Sequence, residues 1–136
     1  MKQEDKDLLL KDLCARLPYE VKMNHIADTE VAPATLIGIA KDMITLKSSA
    51  GYSSADVEDY KPYLFPISSM TDEQYDEMYN YCYNAEREAS KFSNGGLKII
   101  YTFELFKFDW LNKNHFDYRG LIPKGLAINA TELNIY

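Results

Sequence analysis

Leu10, Leu13, Cys14 and Leu17 recur at i, i+3, i+4 and i+7, a spacing that predicts a first helix over about Glu4 to Arg16. Acidic Glu4, Asp5 and Asp7 suit its N-terminal turn, and Pro18 ends it. Leu8 and Leu9 widen the apolar face, so this helix either packs on two sides or offers Leu9 to a partner. The period then drops to two. Val21, Met23 and His25 alternate with Lys22 and Asn24, Thr35, Ile37 and Ile39 alternate with Leu36, Gly38 and Ala40, and Met43 to Leu46 supplies a third apolar run. Lys41-Asp42 joins the last two as a hairpin, and Gly38 inside its strand marks a bulge, a bend or a close backbone approach. Residues 20 to 47 therefore read as a three-stranded antiparallel meander.

The pattern breaks at 47–59, where Ser48, Ser49, Gly51, Ser53 and Ser54 with Asp56, Glu58 and Asp59 predict a polar loop. Tyr60 to Met70 follows, with Pro62 and Pro66 bracketing Tyr63, Leu64 and Phe65. Two prolines so close forbid a regular helix and predict an extended or turned connector. Thr71-Asp72-Glu73-Gln74 is a capping box opening a helix that runs to about Lys91, where Ser93-Asn94-Gly95-Gly96 breaks it. Tyr75, Met78, Tyr79, Cys82 and Ala89 lie on one side of it, while Tyr81 and Tyr83 widen the aromatic surface. Leu97 to Tyr101 reads as a short strand or extended lead-in. Thr102 then N-caps a helix on which Phe103, Phe106, Trp110 and Leu111 share a face, with termination at Asn112 to Asn114. Phe116 to Ile122 reads as a short helix or turn, Leu126 to Ile128 as a final short strand, and 131–136 as a tail.

These elements make a single α+β domain, a small antiparallel β-meander packed against about three helices. At 136 residues the chain is long enough to bury a real core without staples. Its formal net charge of −6 argues against nonspecific binding to nucleic acid or anionic membrane, which both need a surplus of Lys and Arg. No apolar run approaches a membrane span, and the acidic start MKQEDKD lacks the apolar core of a signal peptide. Cys14 and Cys82 sit in separate predicted helices without metal or redox spacing. The expectation is two reduced and partly buried thiols in the cytoplasm, no metal and no cofactor.

Candidate chemistry concentrates near the single Trp. Asp109, His115, Asp117, Tyr118 and Arg119 combine a histidine that carboxylates could tune with an arginine able to hold an anion by two parallel hydrogen bonds. The same residues could equally finish a helix and pair an Asp with an Arg, and no nucleophile spacing accompanies them. Ser68 and Ser69 read as hydrogen-bonders at the start of a helix, His25 as a sheet histidine, and Gly95-Gly96 lacks a phosphate-loop continuation. The eleven tyrosines are the compositional oddity, because Tyr joins rigid contact area to a polar tip. Tyr81 and Tyr83, with Leu9, are the expected interaction surface.

Three stretches, DLLLKDLCARLPYEVK (Asp7 to Lys22), KPYLFPISSMTDEQ (Lys61 to Gln74) and DWLNKNHFDYRGLIPKGLA (Asp109 to Ala127), give the chain a resemblance to a family of uncharacterised small proteins of gut anaerobes, their phages and mobile elements. The resemblance implies a genomic setting and no catalytic residues. The expected function is that of a non-enzymatic binding or regulatory protein working through protein–protein contacts and self-association. The alternative is a small-molecule binding module or enzyme around His115, Asp117, Tyr118 and Arg119.

Overall fold

A computed structural model describes residues 1–91 and 96–136; within it only the backbone is described for residues 90 and 96–102. The first helix, α1, spans Gln3–Arg16 and passes into a 3-10 turn at Leu17–Tyr19, where Pro18 cannot continue the α-helical ladder. Glu20 then turns the chain at φ 57° into β1, Lys22–His25. β2 (Ala34–Ala40) and β3 (Met43–Ser48) form the expected hairpin across Lys41, which takes φ 57°. The ladder shifts register between Leu36 and Gly38, so Gly38 sits at a bulge.

The predicted polar loop at 47–59 is instead mostly strand. β4, Gly51–Asp56, pairs antiparallel with β3 along its whole length, and a 3-10 turn at Val57–Asp59 follows. Residues 51–54 are exposed and only Ala55 touches the core, because this is an edge strand held mainly by backbone bonds, which leave no trace in a hydrophobic pattern. The 60–70 connector is corrected likewise: Tyr60–Pro66 forms β5 in the interior of the sheet. Ile26 N–H donates to the Asp59 carbonyl at 2.8 Å. Counting along the alternating ladder, Pro62 opposite Met23 falls in a non-hydrogen-bonded pair, so β1 asks no N–H of it.

The strand order is β4-β3-β2-β1-β5-β6, with β7 also on β5. Four peptide steps link Asp56 to Tyr60 and reach at most about 14 Å. A flat sheet would hold β4 and β5 about 19 Å apart. The sheet therefore coils until its two ends approach each other. Lys6 of α1 pins this closure by reaching Asp42 and Glu58, each at 3.2 Å.

Helix α2 spans Asp72–Ser90 and opens on the predicted capping box: Thr71 Oγ1 accepts from Gln74 N–H at 3.1 Å, and the Gln74 side chain accepts from Thr71 N–H at 2.9 Å. The predicted break at 93–95 lies outside the described residues. Helix α3 spans Gly96–Lys113, so Leu97 to Tyr101 is helical rather than a strand, and Thr102 lies inside the helix rather than capping it. The β-branched and aromatic composition of that stretch suited either state, and it continues the helix of Phe103 to Leu111. Phe116–Asp117 is a two-residue strand, β6, rather than a helix or turn, and Ile128–Asn129 is β7; both run parallel to β5.

Two cores result. Leu9 and Leu13 of α1 pack with Val21, Met23, Leu36, Ile44, Leu46 and Leu64 of the sheet. Met78 and Cys82 of α2 pack with Trp110, Leu111 and Phe116, the rings of Trp110 and Phe116 stacked at 5.7 Å. Successive residues of β5 serve both, Leu64 the first and Phe65 the second. Leu9 is fully buried, which corrects its assignment to an interaction surface: the wide apolar face of α1 is needed against a curved sheet.

Candidate functional site

The end of α3 turns the chain toward the junction of the two cores. Asn114 donates its side-chain amide to the Trp110 carbonyl at 2.9 Å, and it is His115, not an Asn, that adopts the left-handed conformation, at φ 64°. The His115 carbonyl then accepts from Phe65 N–H at 2.8 Å and starts β6. Asp117 accepts from the backbone N–H groups of Leu121 and Ile122 at 2.8 and 2.9 Å. Its carboxylate is committed to shaping the 117–122 loop.

Against this loop α1 presents an ion pair that no hydrophobic pattern announces. Asp12 and Arg16 lie one turn apart and are fully buried, with Arg16 Nε donating to Asp12 Oδ2 at 2.7 Å and Nη2 to Oδ1 at 3.2 Å. Arg16 Nη2 also donates to the Phe116 carbonyl at 2.6 Å, tying α1 to β6. Arg119 Nε approaches the same Asp12 carboxylate at 3.3 Å from the other side. The Tyr118 ring lies 5.4 Å from the Arg16 guanidinium and 5.0 Å from that of Arg119, and its hydroxyl donates to Asn112 Oδ1 at 2.9 Å. Two cations thus share one buried carboxylate around one aromatic ring. The signal available in the sequence was the i, i+4 Asp12–Arg16 spacing beside Leu9 and Leu13.

His115 belongs to a different place. Its ring stacks on Tyr136 at 3.6 Å between centroids. The Tyr136 hydroxyl accepts from Lys22 N–H at 3.0 Å and donates to the Tyr63 carbonyl at 2.8 Å, which inserts it between β1 and β5 where the two strands would otherwise bond directly. The predicted tail is therefore anchored by its last side chain. Burial above all, with Arg16 and Lys22 nearby, pushes the His115 pKa down from 6.5 to about 4, so the imidazole is neutral at pH 7. Burial also raises the Tyr136 phenol well above its ordinary value. Although Tyr136 as a residue is partly exposed, its hydroxyl lies between β1 and β5, and that end governs its titration.

Of the five predicted site residues, Asp109, Tyr118 and Arg119 line a cleft of about 460 Å³ together with Leu105, Phe108 and Asn112. His115 and Asp117 do not reach it. Asp117 is occupied by amides and His115 is covered by Tyr136, so the five form no single constellation of acid, base and anion holder. Among the described residues no group of three His, Cys, Asp or Glu could hold a metal ion, and no helix is long and apolar enough to cross a membrane. Cys82 is buried, which raises its thiol pKa and keeps it unreactive; Cys14, expected to be partly buried, is instead an exposed free thiol, because α1 turns Leu9 and Leu13 rather than Cys14 to the core.

The outer side of α2 is the other candidate. Tyr75, Tyr79 and Tyr83 are exposed at four-residue spacing, and the rings of Tyr79 and Tyr83 stack at 6.5 Å. Tyr79 meets Phe103 edge-on at 6.0 Å, and on the opposite flank Tyr81 meets Phe106 in the same way, also at 6.0 Å. Compared with protein-family models, curated proteins and solved structures, the chain has no match, so each site stands on its own chemistry.

Proposed function

We propose that this chain is a binding or regulatory protein that works through protein–protein contacts, self-association among them, and turns over no substrate. The observation that carries the reading is the exposed tyrosine ridge Tyr75, Tyr79 and Tyr83, oriented by Phe103 and accompanied by Tyr81. Rigid aromatic area with polar tips is characteristic of contact surfaces, since ordering it on binding costs little entropy. A phage or mobile-element setting rests on the family resemblance of the three stretches quoted above. The exposed thiol of Cys14 fits a reducing, cytoplasmic location.

Size-exclusion chromatography with light scattering, followed by affinity capture, tests the proposal. A discrete oligomer, or a monomer that captures one protein lost on changing Tyr79 and Tyr83 to Ser, is the expected result. A monomer that captures nothing refutes it.

A second reading, a small-molecule module, is favoured by one observation: the cleft of about 460 Å³ lies within the usual range of ligand sites and is walled by Asp109, Tyr118 and Arg119. It retains Asp109, Tyr118 and Arg119 of the five predicted residues and leaves out His115 and Asp117. A thermal-shift screen of small carboxylates would show stabilisation lost in Arg119→Gln; no stabilisation by any of them sinks this reading.

A further inference from the structure

We infer that the tyrosine ridge of α2 receives a basic, arginine-rich segment of a partner protein; this rests on the protein-binding reading above and adds the chemistry of the partner. Tyr75, Tyr79 and Tyr83 follow one i, i+4 row of the helix. At 56, 50 and 48% exposure they remain open to solvent, with Tyr79 resting edge-on against Phe103 at the margin of the second core, which takes Met78 and Cys82 from the same helix. At about 100° per residue, Asp72, Asp76 and Glu86 all fall within roughly 60° of the line through Tyr79. From Asp72 to Ser90 the helix carries the six carboxylates of Asp72, Glu73, Asp76, Glu77, Glu86 and Glu88 against a single cation, Arg87, which follows Tyr83 at the C-terminal end of the row. The ridge therefore alternates ring faces with carboxylates.

Ring faces and carboxylates together recognise a guanidinium better than any other protein group. A planar cation stacks on tyrosine through the ring quadrupole while its edge meets a carboxylate by paired hydrogen bonds. The edge-on contact of Tyr79 with Phe103 and its stacking on Tyr83 hold the rings in place before any partner arrives, which lowers the entropy lost on binding. The same charge disfavours other occupants. A second copy laid ridge to ridge would oppose like charges, and nucleic acid or an anionic lipid surface would be repelled.

The test is an amide NMR titration of the full chain with nona-arginine, nona-lysine and nona-glutamate peptides. Shift changes centred on residues 72–87 are expected with the two basic peptides alone. Arginine should bind about two- to fivefold more tightly than lysine at equal charge, the increment of a stacked guanidinium at an exposed site. Tyr79→Leu with Tyr83→Leu should erase that preference while the dispersion of the remaining spectrum shows an intact fold. Shifts centred on Glu4 to Asp7 or on Asp42 to Asp59, or equal affinity for the two basic peptides, would overturn the inference. Concentration-dependent shifts of the ridge without peptide would do so too, because a second copy would then be the occupant. The capture experiment above succeeds or fails without reference to arginine, so the general reading can survive the loss of this one.

Discussion

Changing Asp12 to Leu removes the one carboxylate shared by two guanidiniums. Arg16 then remains fully buried with its Nη1 already lacking an acceptor, and Arg119 faces it across the vacated position. Removing one partner from a buried pair destabilises by about 3–5 kcal/mol, because an uncompensated charge stays in a medium that solvates it poorly. With a urea slope near 1.5 kcal/mol/M for a domain of this size, the unfolding midpoint should fall by roughly 2–3 M. The cause is separable from mere loss of packing by adding Arg16→Met. That second change removes the stranded cation and fills the space with an apolar chain, at the loss of one hydrogen bond to the Phe116 carbonyl, about 1 kcal/mol. Urea denaturation followed by the fluorescence of Trp110 reads both variants. The double variant should recover more than half of the lost stability. A single variant within about 1 kcal/mol of the parent, or a double variant as unstable as the single, would refute the reasoning.

Tyr136→Phe keeps the ring on His115 but deletes the hydroxyl between Lys22 N–H and the Tyr63 carbonyl; a loss of about 1–2 kcal/mol in urea unfolding is expected, with faster hydrogen exchange at the Lys22 amide. His115 has a folded pKa of about 4 against 6.5 when unfolded, so the unfolded chain binds more protons between those values and stability must fall as pH drops from 6.5 toward 4. The loss from this group should reach about 2 kcal/mol by pH 5. His115→Asn, which tolerates the φ of 64°, should flatten that part of the stability–pH curve. Thr71→Ala breaks the capping box of α2 and should lower stability by about 1 kcal/mol, while Thr71→Asp should not.

The sequence by itself determined the elements whose formation is local. The four-residue capping signal at Thr71 needs no distant partner, and the spans of α1 and of β1 to β3 appear where the pattern puts them, although α1 buries Leu9, Asp12, Leu13 and Arg16 and leaves Cys14 exposed, and β2 buries Leu36 and leaves Ile37 exposed. Only the tertiary structure decided the rest. β4 is mostly polar, with only Ala55 against the core, and is held in the sheet by its hydrogen bonds to β3. β5 contains two prolines and is nonetheless interior, because the ladder parity sets Pro62 where no N–H is required of it by β1. The candidate site divides in the same way. Asp109, Tyr118 and Arg119 could be picked out as residues, but the partners of Tyr118 and Arg119, Asp12 and Arg16, lie a hundred positions away, and the separation of His115 and Asp117 from them follows from the turn at φ 64°. Leu9 shows the limit most plainly. An apolar residue on a wide helix face reads the same whether it awaits a partner or lies against a curved sheet, since burial is a property of what packs opposite and is written nowhere in the helix itself.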